Sequence, residues 1–288
     1  MSIDVLQDKI RKKKNPSIIL LEAFSELIPP SILSENASLA SACQVYYTVL
    51  MDGLKNVVPA IRLDFSSFAF LGAEGLSAMS ALAKTAQNLG YYVLADLPEL
   101  LTPAAAVNAA SLLSEREDAF DGYVVGAYLG SDVLRPLQQL CKKKKSVFAV
   151  VRTSNKSAVE IQDLLTGGRL VHTAAADVVY RHGESLTGKF GYSQLGAVAA
   201  AGSVDSLRTL RSRYAKLFLL VDGYDYPNGN AKNCSFAFDR FGHGAVICAS
   251  ASVTGAWKER DAGEGFVEAS VSAAEKMKKN LNRYINIL

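Results

Sequence analysis

The side chains in this sequence that could do acid–base chemistry come directly after short apolar runs. Most are carboxylates, joined by two arginines and a few small polar residues: Glu22, Arg62, Asp64, Asp96, Glu99, Arg152, Ser154, Asn155, Asp222, Asp225, Ser250 and Ser252. Carboxylates that share one partly buried site raise one another's pKa, which suits proton transfer. The alternative is structural, with both arginines pairing with the aspartates at positions 64 and 96. The sequence has no recognisable nucleophile–base pair and no metal-ligand spacing, so no metal site is expected.

Eight apolar runs recur along the chain and must position these side chains. They cover residues 18–24, 60–65, 91–97, 122–129, 147–153, 195–202, 217–224 and 244–251. Each is nearly continuous, as is typical of a parallel strand buried on both faces, and segments of helical periodicity separate them. Eight strand-then-helix units predict an α/β fold, a (β/α)8 TIM barrel, with residues 1–288 as a single domain. Its first helix after a strand is expected to begin near Ser34.

The loop after the seventh predicted strand, residues 222–230, is the longest at the C-terminal ends of the strands. It carries Asp222, Tyr224 and Asp225. Barrels that bind phosphate usually hold it between this loop and the next one. The two aspartates would repel a phosphate, and residues 248–254 contain no cation to offset them. We therefore expect a small polar ligand, neutral or cationic, at the barrel mouth. The candidate ligand-binding residues are Glu22, Asp64, Ser154, Asn155, Asp222, Tyr224 and Asp225.

Composition limits the partners and the compartment. The 31 basic and 28 acidic residues are interspersed and give a formal net charge of +3, so no nucleic-acid partner is expected. No apolar run approaches the roughly 20 residues that a membrane span needs, and the N-terminus lacks an apolar signal core. The four cysteines have no metal-like spacing, and those at 43, 141 and 248 are interpreted as reduced core residues. These features predict a cytoplasmic protein that does not bind membranes.

The histidines fall outside the predicted strand ends. His172 and His182 follow the fifth strand, and His243 follows the seventh. A surface or helix-cap position is therefore expected for each of them, rather than a role in catalysis.

Several longer motifs carry a resemblance to a known family. They are Val58-Pro59-Ala60, Leu71-Gly72-Ala73-Glu74-Gly75-Leu76, Tyr128-Leu129-Gly130-Ser131-Asp132, Val151-Arg152-Thr153-Ser154-Asn155, Glu160-Ile161-Gln162-Asp163-Leu164, Gly191-Tyr192-Ser193 and Phe236-Ala237-Phe238-Asp239. Together they resemble the orotidine 5′-phosphate decarboxylases, in particular the longer bacterial branch. The resemblance implies a barrel, decarboxylation of orotidylate without a cofactor, and a homodimer formed through the upper rim. Phe65, Phe68 and Phe70 offer apolar surface at that rim.

The positions that carry the family's chemistry differ in this chain. The family uses an alternating array of two lysines and two aspartates to stabilise a carbanion and then protonate it. Here Arg62 replaces the lysine of the second strand. The motif Asp-x-Lys-x-x-Asp after the third strand keeps its first aspartate as Asp96, but Pro98 replaces the lysine and Leu101 the second aspartate. Arg62 and Asp96 are therefore remnants of an array that lacks its proton donor.

The phosphate site of the family is altered as well. Its loop signature is Pro-Gly-x-Gly-Ala-Gln-Gly, and here Asp225 stands at the second glycine and Pro227 at the glutamine. Ala251 replaces the arginine that grips the phosphate after the eighth strand. Ser154, whose family counterpart contacts the pyrimidine, is retained.

The leading interpretation is a family member that has lost decarboxylase activity and acts as a pseudoenzyme, a binding or interaction protein. Two enzymatic alternatives stay open. One is decarboxylation of orotidylate in pyrimidine (UMP) biosynthesis. The other is a new lyase-type activity on an unphosphorylated ligand, using the rim carboxylates.

Overall fold

A closed barrel of parallel strands forms the centre of the molecule. The computed structural model describes residues 1–97, 102–115, 119–259 and 265–288. Within these ranges the barrel strands are β1 (Ser17–Leu21), β2 (Ala60–Leu63), β3 (Tyr92–Asp96), β4 (Gly122–Gly126), β5 (Ser146–Val150), β8 (Leu195–Ala200), β9 (Leu219–Asp222) and β10 (Ala245–Ala249). β1 pairs with β2 on one side and with β10 on the other, which closes the ring. The predicted (β/α)8 TIM barrel is confirmed.

Helices connect the strands around the outside. They are α1 (Ser2–Lys13), α2 (Pro30–Glu35), α3 (Leu39–Leu54), α4 (Phe65–Ala69), α5 (Gly72–Asn88), α6 (Pro103–Glu115), α7 (Ser131–Lys142), α8 (Val171–Gly183), α9 (Val204–Arg213), α10 (Ala231–Cys234), α11 (Ala251–Thr254) and α12 (Phe266–Leu281). A short antiparallel hairpin, β6 (Leu165–Thr166) with β7 (Arg169–Leu170), lies apart from the barrel, between β5 and α8. None of the helices in the described part of the chain is long and apolar enough to cross a membrane.

Burial of the strands on both faces explains their continuous hydrophobicity. All six residues of β8 and all five of β10 are buried. α1 packs against the N-terminal ends of the strands, where Ile3, Leu6 and Ile10 are fully buried. The amide of Gly244 donates to Oε1 of Gln7 there, at 3.1 Å. The N-terminal end of the barrel is therefore covered, and the C-terminal end is where a ligand can enter.

The helix expected to begin near Ser34 is wrongly placed. α2 begins at Pro30 and ends at Glu35, because proline has a backbone angle suited to the first turn of a helix and needs no hydrogen-bond acceptor there. α3 begins only at Leu39, where the Ser38 side chain accepts a hydrogen bond from the Ser41 amide at 3.2 Å. The two N-terminal signals in this segment are therefore Pro30 and Ser38, and Ser34 is not one of them.

Candidate functional site

Arg62 lies at the centre of the barrel mouth and joins two carboxylates. It is in β2, its side chain is 8% exposed, and its guanidinium donates to both oxygens of Asp96, with Nε–Oδ1 at 2.7 Å and Nη2–Oδ2 at 3.1 Å. Nη1 donates to both oxygens of Asp222, at 2.8 and 2.9 Å. β9, which carries Asp222, does not neighbour β2, so this second pair crosses the barrel interior. One buried cation thus serves two carboxylates.

The buried cluster changes the pKa values of its members. Burial raises the pKa of Asp96 to about 6, although the charge of Arg62 acts in the opposite direction. Burial also disfavours the charged form of Arg62, but the carboxylates of Asp222 and Asp96 outweigh it, and the pKa of Arg62 lies above its ordinary value. Arg62 is therefore a fixed charge that gives up no proton at neutral pH.

The structural alternative proposed for the two arginines is half right. Arg62 does pair with Asp96, but Arg152 pairs with neither Asp64 nor Asp96. Its guanidinium instead donates to both carboxylate oxygens of Asp163, with both distances at 2.9 Å. Asp163 follows Arg152 in the same connection after β5, so the short chain path between them favours this pair. Arg152 therefore stabilises the loop after β5 and does not line the barrel mouth.

His172 joins this second cluster and is buried, whereas a surface or helix-cap position was expected for it. Its ring is 3% exposed, and Nδ1 lies 3.2 Å from Oδ1 of Asp163 and 3.0 Å from the carbonyl oxygen of Gln162. His172 stands in the first turn of α8, which turns its side chain back beneath the loop that begins at Arg152. The residue holds the loop in place, and the sequence offered only the motif around Asp163 as a signal for it.

Asp64 caps a helix. Its carboxylate Oδ2 accepts a hydrogen bond from the Ser67 amide at 2.8 Å, at the start of α4. The Ser67 hydroxyl in turn accepts from the amide of Ala23 at 2.9 Å, which ties α4 to the end of β1. Helix capping is a sufficient reason for an aspartate directly before a helix, so no ligand is needed to explain Asp64.

A cavity of about 480 Å³ opens at the mouth between the ends of β1, β5, β9 and β10. Its lining residues are Leu20, Glu22, Thr153, Ser154, Asn155, Asp222, Gly223, Tyr224, Asp225, Tyr226, Cys248, Ala249, Ser250 and Ala251. Six of the seven candidate ligand-binding residues therefore meet at one cavity, and Asp64 stands apart. No lysine or arginine is among the described residues that line it.

Glu22 is the carboxylate at the β1 side of this cavity. Burial raises its pKa, while a hydrogen bond from the hydroxyl of Ser250 acts in the opposite direction. The carbonyl of Glu22 also accepts from the hydroxyl of Tyr47, at 2.6 Å. Glu22 is thus held at two points, and its carboxyl group faces the cavity with an increased tendency to bind a proton.

Cys248 forms part of the cavity floor, a role that the sequence analysis missed. It was interpreted only as a core residue, and it is indeed 4% exposed. Its Sγ lies 4.0 Å from Nη1 of Arg62. Burial and the nearby Asp222 raise the pKa of Cys248 well above its usual value, so the group is a neutral thiol. Only its position in β10, two residues before Ser250, could have pointed to the mouth.

The other lining residues are held by local hydrogen bonds. The hydroxyl of Ser154 donates to the carbonyl of Asp222 at 2.7 Å, and Oδ1 of Asn155 accepts from the hydroxyl of Thr153 at 2.6 Å. Burial raises the pKa of Tyr224, whose hydroxyl interacts with Asn280. Ser154 therefore fastens the loop after β5 to the end of β9.

Asp225 reaches across the cavity from the loop after β9. Its Oδ2 accepts hydrogen bonds from the backbone amides of Ser250 at 2.7 Å and Ser252 at 3.3 Å. Asp222 and Asp225 were both expected to repel a phosphate as free charges. Asp222 is instead paired with Arg62, and Asp225 is bound to the backbone that follows β10.

Pro98, Glu99 and Leu101 lie outside the described residues. Within the described ranges, no three histidine, cysteine or acidic side chains are arranged to hold a metal ion.

Comparison with known proteins identifies relatives along the whole chain. No protein-family model matches it. The orotidine 5′-phosphate decarboxylase of Clostridium novyi (strain NT) is 27% identical over 284 residues, which cover 98% of both proteins. That of Clostridium acetobutylicum is 27% identical over 286 residues, which cover 98% of this chain and 99% of the relative.

Solved structures agree in fold. The OMP decarboxylase of Leishmania donovani superposes with a TM-score of 0.72 at 22% identity and covers 98% of each chain. The orotidine 5′-monophosphate decarboxylase of Plasmodium berghei gives a TM-score of 0.73 at 13% identity, over 97% of this chain and 99% of the other. The full-length sequence relatives confirm the resemblance indicated by the motifs: this chain is similar along its whole length to the orotidine 5′-phosphate decarboxylases.

Proposed function

We propose that this protein has lost the decarboxylation of orotidylate and acts as a binding protein, a homodimer in the cytoplasm whose barrel mouth takes a small unphosphorylated ligand. The observation that carries the proposal is the hydrogen bonding of Arg62 to two carboxylates. Its guanidinium is bound by Asp96 and Asp222 through four hydrogen bonds, and its pKa lies above the ordinary value. The lysine that the family has at this position carries a mobile ammonium, whereas this guanidinium is fixed and always charged.

Changes along the chain support the same conclusion. Pro98 has no side-chain proton to donate, and Leu101 has no charge to balance. Removing preorganised charges from such a site costs orders of magnitude in rate, because each factor of ten is about 1.4 kcal/mol of barrier. Pro227 and Ala251, in place of the glutamine and arginine, leave a ligand phosphate without side-chain partners. The binding energy of a remote phosphate normally contributes to the transition state, so its loss reduces both affinity and rate.

The charge of the mouth favours a neutral or cationic ligand. The lining contains Glu22, Asp222 and Asp225 and no basic side chain among the described residues. Two aromatic rings, Tyr224 and Tyr226, line the same cavity. Their faces and the carboxylates suit an apolar or positively charged group better than an anion.

Two measurements test the proposal. The purified protein is incubated with orotidine 5′-monophosphate, and the gene is introduced into a strain that requires pyrimidines, with an active decarboxylase as positive control. We expect no detectable turnover and no growth without uracil. The double variant with Pro98→Lys and Leu101→Asp should also stay inactive, because the phosphate contacts are still missing. Turnover by the unmodified chain, or growth, would overturn the proposal.

Ligand class is tested separately by thermal shift. Uridine monophosphate is compared with uridine, other neutral nucleosides and small amines. We expect any stabilisation to come from the neutral or cationic compounds. A shift of several degrees with the monophosphate alone would contradict the expected preference.

A second candidate function, a lyase-type proton transfer on an unphosphorylated ligand, is favoured by Glu22. Its carboxyl group lines the cavity and has a raised pKa, as a general acid near neutral pH requires. Neutral nucleosides and amines incubated with the protein would be followed by NMR for a new product. Product that forms with the unmodified chain and disappears in Glu22→Gln would favour this function over simple binding.

A further inference from the structure

The backbone immediately after β10 presents two amides toward the barrel mouth, and both are already occupied by a carboxylate. Oδ2 of Asp225 accepts from Ser250 at 2.7 Å and from Ser252 at 3.3 Å. A single anionic oxygen that accepts from two backbone amides is a charge-assisted arrangement, stronger than a hydrogen bond between neutral groups. The anion on these amides is supplied by the chain itself.

The loop that carries Asp225 is built to hold it there. Gly223 has φ +87, and a Cβ at this position would lie 2.3 Å from Oγ of Ser154, so only glycine fits. The amide of Tyr226 donates to the carbonyl of Gly223 at 3.1 Å, and that of Gly229 donates to the carbonyl of Tyr226 at 2.8 Å. Two consecutive turns, over residues 223–226 and 226–229, thus fix the loop that carries Asp225.

Charge around the two amides excludes a second anion. Ser250 also donates its hydroxyl to Glu22, so a ligand anion at its amide would approach both Glu22 and Asp225. No lysine or arginine lines the cavity in the described part of the chain. Like charges a few ångströms apart repel strongly in a partly desolvated site, because little water screens them.

We infer that Asp225 is a specificity-determining residue, an internal anion that takes the backbone contacts a ligand phosphate would need and closes the mouth to phosphate monoesters. Barrels of this architecture hold phosphate between the loops after the seventh and eighth barrel strands, which are β9 and β10 here. The Asp225 carboxylate lies between these two loops, so it decides whether a phosphorylated ligand can bind there. The inference rests on the proposed function in one respect only, that the mouth binds ligands.

The contact itself is tested by hydrogen exchange. The exchange rates of the Ser250 and Ser252 amides are compared in the unmodified protein, Asp225→Asn and Asp225→Gly. We expect both amides to be protected in the unmodified protein and to exchange at least about tenfold faster in Asp225→Gly, since a hydrogen-bonded amide must open before it exchanges. Asp225→Asn keeps an acceptor oxygen and should give an intermediate rate. If the glycine variant folds poorly, the exchange rates in Asp225→Asn are compared with those of the unmodified protein instead. Equal exchange in all three proteins would overturn the inference.

The consequence for specificity is tested with inorganic phosphate and uridine monophosphate. Amide chemical shifts are followed by NMR during titration, and Asp52→Asn is the matched control. Asp52 is exposed and pairs with Lys55 on the outside of the barrel, so its variant changes the net charge equally without touching the mouth. We expect at least about tenfold tighter phosphate binding in Asp225→Gly, about 1.4 kcal/mol, with shifts centred on Ser250 and Ser252. The unmodified protein and the control should show no such shifts.

The outcomes separate this inference from the proposed function. Phosphate binding by the unmodified protein at these amides, or none in Asp225→Gly, would overturn the role of Asp225. Neither readout depends on catalysis. Turnover of orotidylate would overturn the loss of activity whatever these amides bind.

Discussion

At the scale of single residues, Arg62 organises the charges at the barrel mouth. Arg62 offers a planar set of donors that can serve two carboxylates at once, which a lysine ammonium cannot do in the same geometry. Asp96 and Asp222 accept four hydrogen bonds from its five N–H donors, since each contributes both oxygens. The cluster stabilises a buried charge, and most of the donors of its cation are engaged within the protein.

The raised pKa of Asp96 predicts a dependence of stability on pH. Its pKa is about 6 in the folded protein against 3.8 for the unperturbed group, so between these values the folded state binds more protons than the unfolded state. The contribution of Asp96 to the free energy of unfolding is therefore fully present below about pH 3.8 and is lost as the pH rises to about 6. Asparagine has no carboxyl group to lose a proton, so Asp96→Asn should not show this loss of stability as the pH rises. We expect the loss in the unmodified protein to be roughly 1–3 kcal/mol.

Urea denaturation of both proteins at several pH values between 4 and 7 measures this effect. The quantity compared is the difference in unfolding free energy between the variant and the unmodified protein. Asp8→Asn is the control, because Asp8 pairs with Lys189 at the surface, far from the mouth. A difference that does not change with pH would contradict the prediction.

At the scale of elements, the mouth is shaped by how helices and loops are attached to strand ends. Asp64 illustrates this, because it caps α4 and α4 is tied to β1 through Ser67. Asp64→Ala should lower the free energy of unfolding by about 1 kcal/mol, the usual cost of losing an N-cap. Ligand binding at the mouth should be unchanged, since Asp64 does not line the cavity.

Two measurements on Asp64→Ala separate the cap from a binding role. Chemical denaturation gives the stability, and titration with any ligand found by thermal shift gives the affinity. Asp64→Asn, which keeps a capping oxygen, should retain most of the stability. Loss of ligand affinity with unchanged stability would restore Asp64 as a ligand-binding residue.

At the scale of the whole molecule, the upper rim is where a partner copy is expected to bind. The three phenylalanines expected there differ in exposure. Phe68 is fully buried, Phe65 is half-buried, and only Phe70 is open, with 85% of its surface exposed. The apolar surface that the rim offers to a partner copy is therefore smaller than the sequence suggested.

We predict a homodimer that depends on Phe70. Sedimentation velocity at micromolar concentration should show a dimer for the unmodified chain and a monomer for Phe70→Asp, because a charge in an apolar contact stays uncompensated. Leu288→Asp is the control, since Leu288 is also exposed, at 56%, but lies at the opposite end of the barrel, beside Phe241. A monomeric unmodified protein, or a dimer that survives Phe70→Asp, would contradict the prediction.

The sequence by itself determined the architecture and the residue types that gather at the barrel mouth. Continuous apolar runs are local signals, and eight of them separated by helical segments suffice to predict the barrel and the edge at which its polar residues gather. The residue types at positions 62, 98 and 101 are likewise read directly from the chain, and their differences from the family pattern support the proposed loss of activity. Element boundaries were less predictable, because two N-terminal signals lie close together before α3.

Only the tertiary structure decided which polar groups are partners. Arg62 finds Asp222 across 160 positions of sequence and through the barrel interior, while Arg152 turns to the nearby Asp163. Asp225 binds the amide of Ser250, on a different loop. Hydrophobic periodicity records which face of an element is buried, but it carries no information about which strand ends closure of the barrel brings within hydrogen-bond distance. The same carboxylates that looked like free charges in the sequence are therefore bound by an arginine and by backbone amides in the fold.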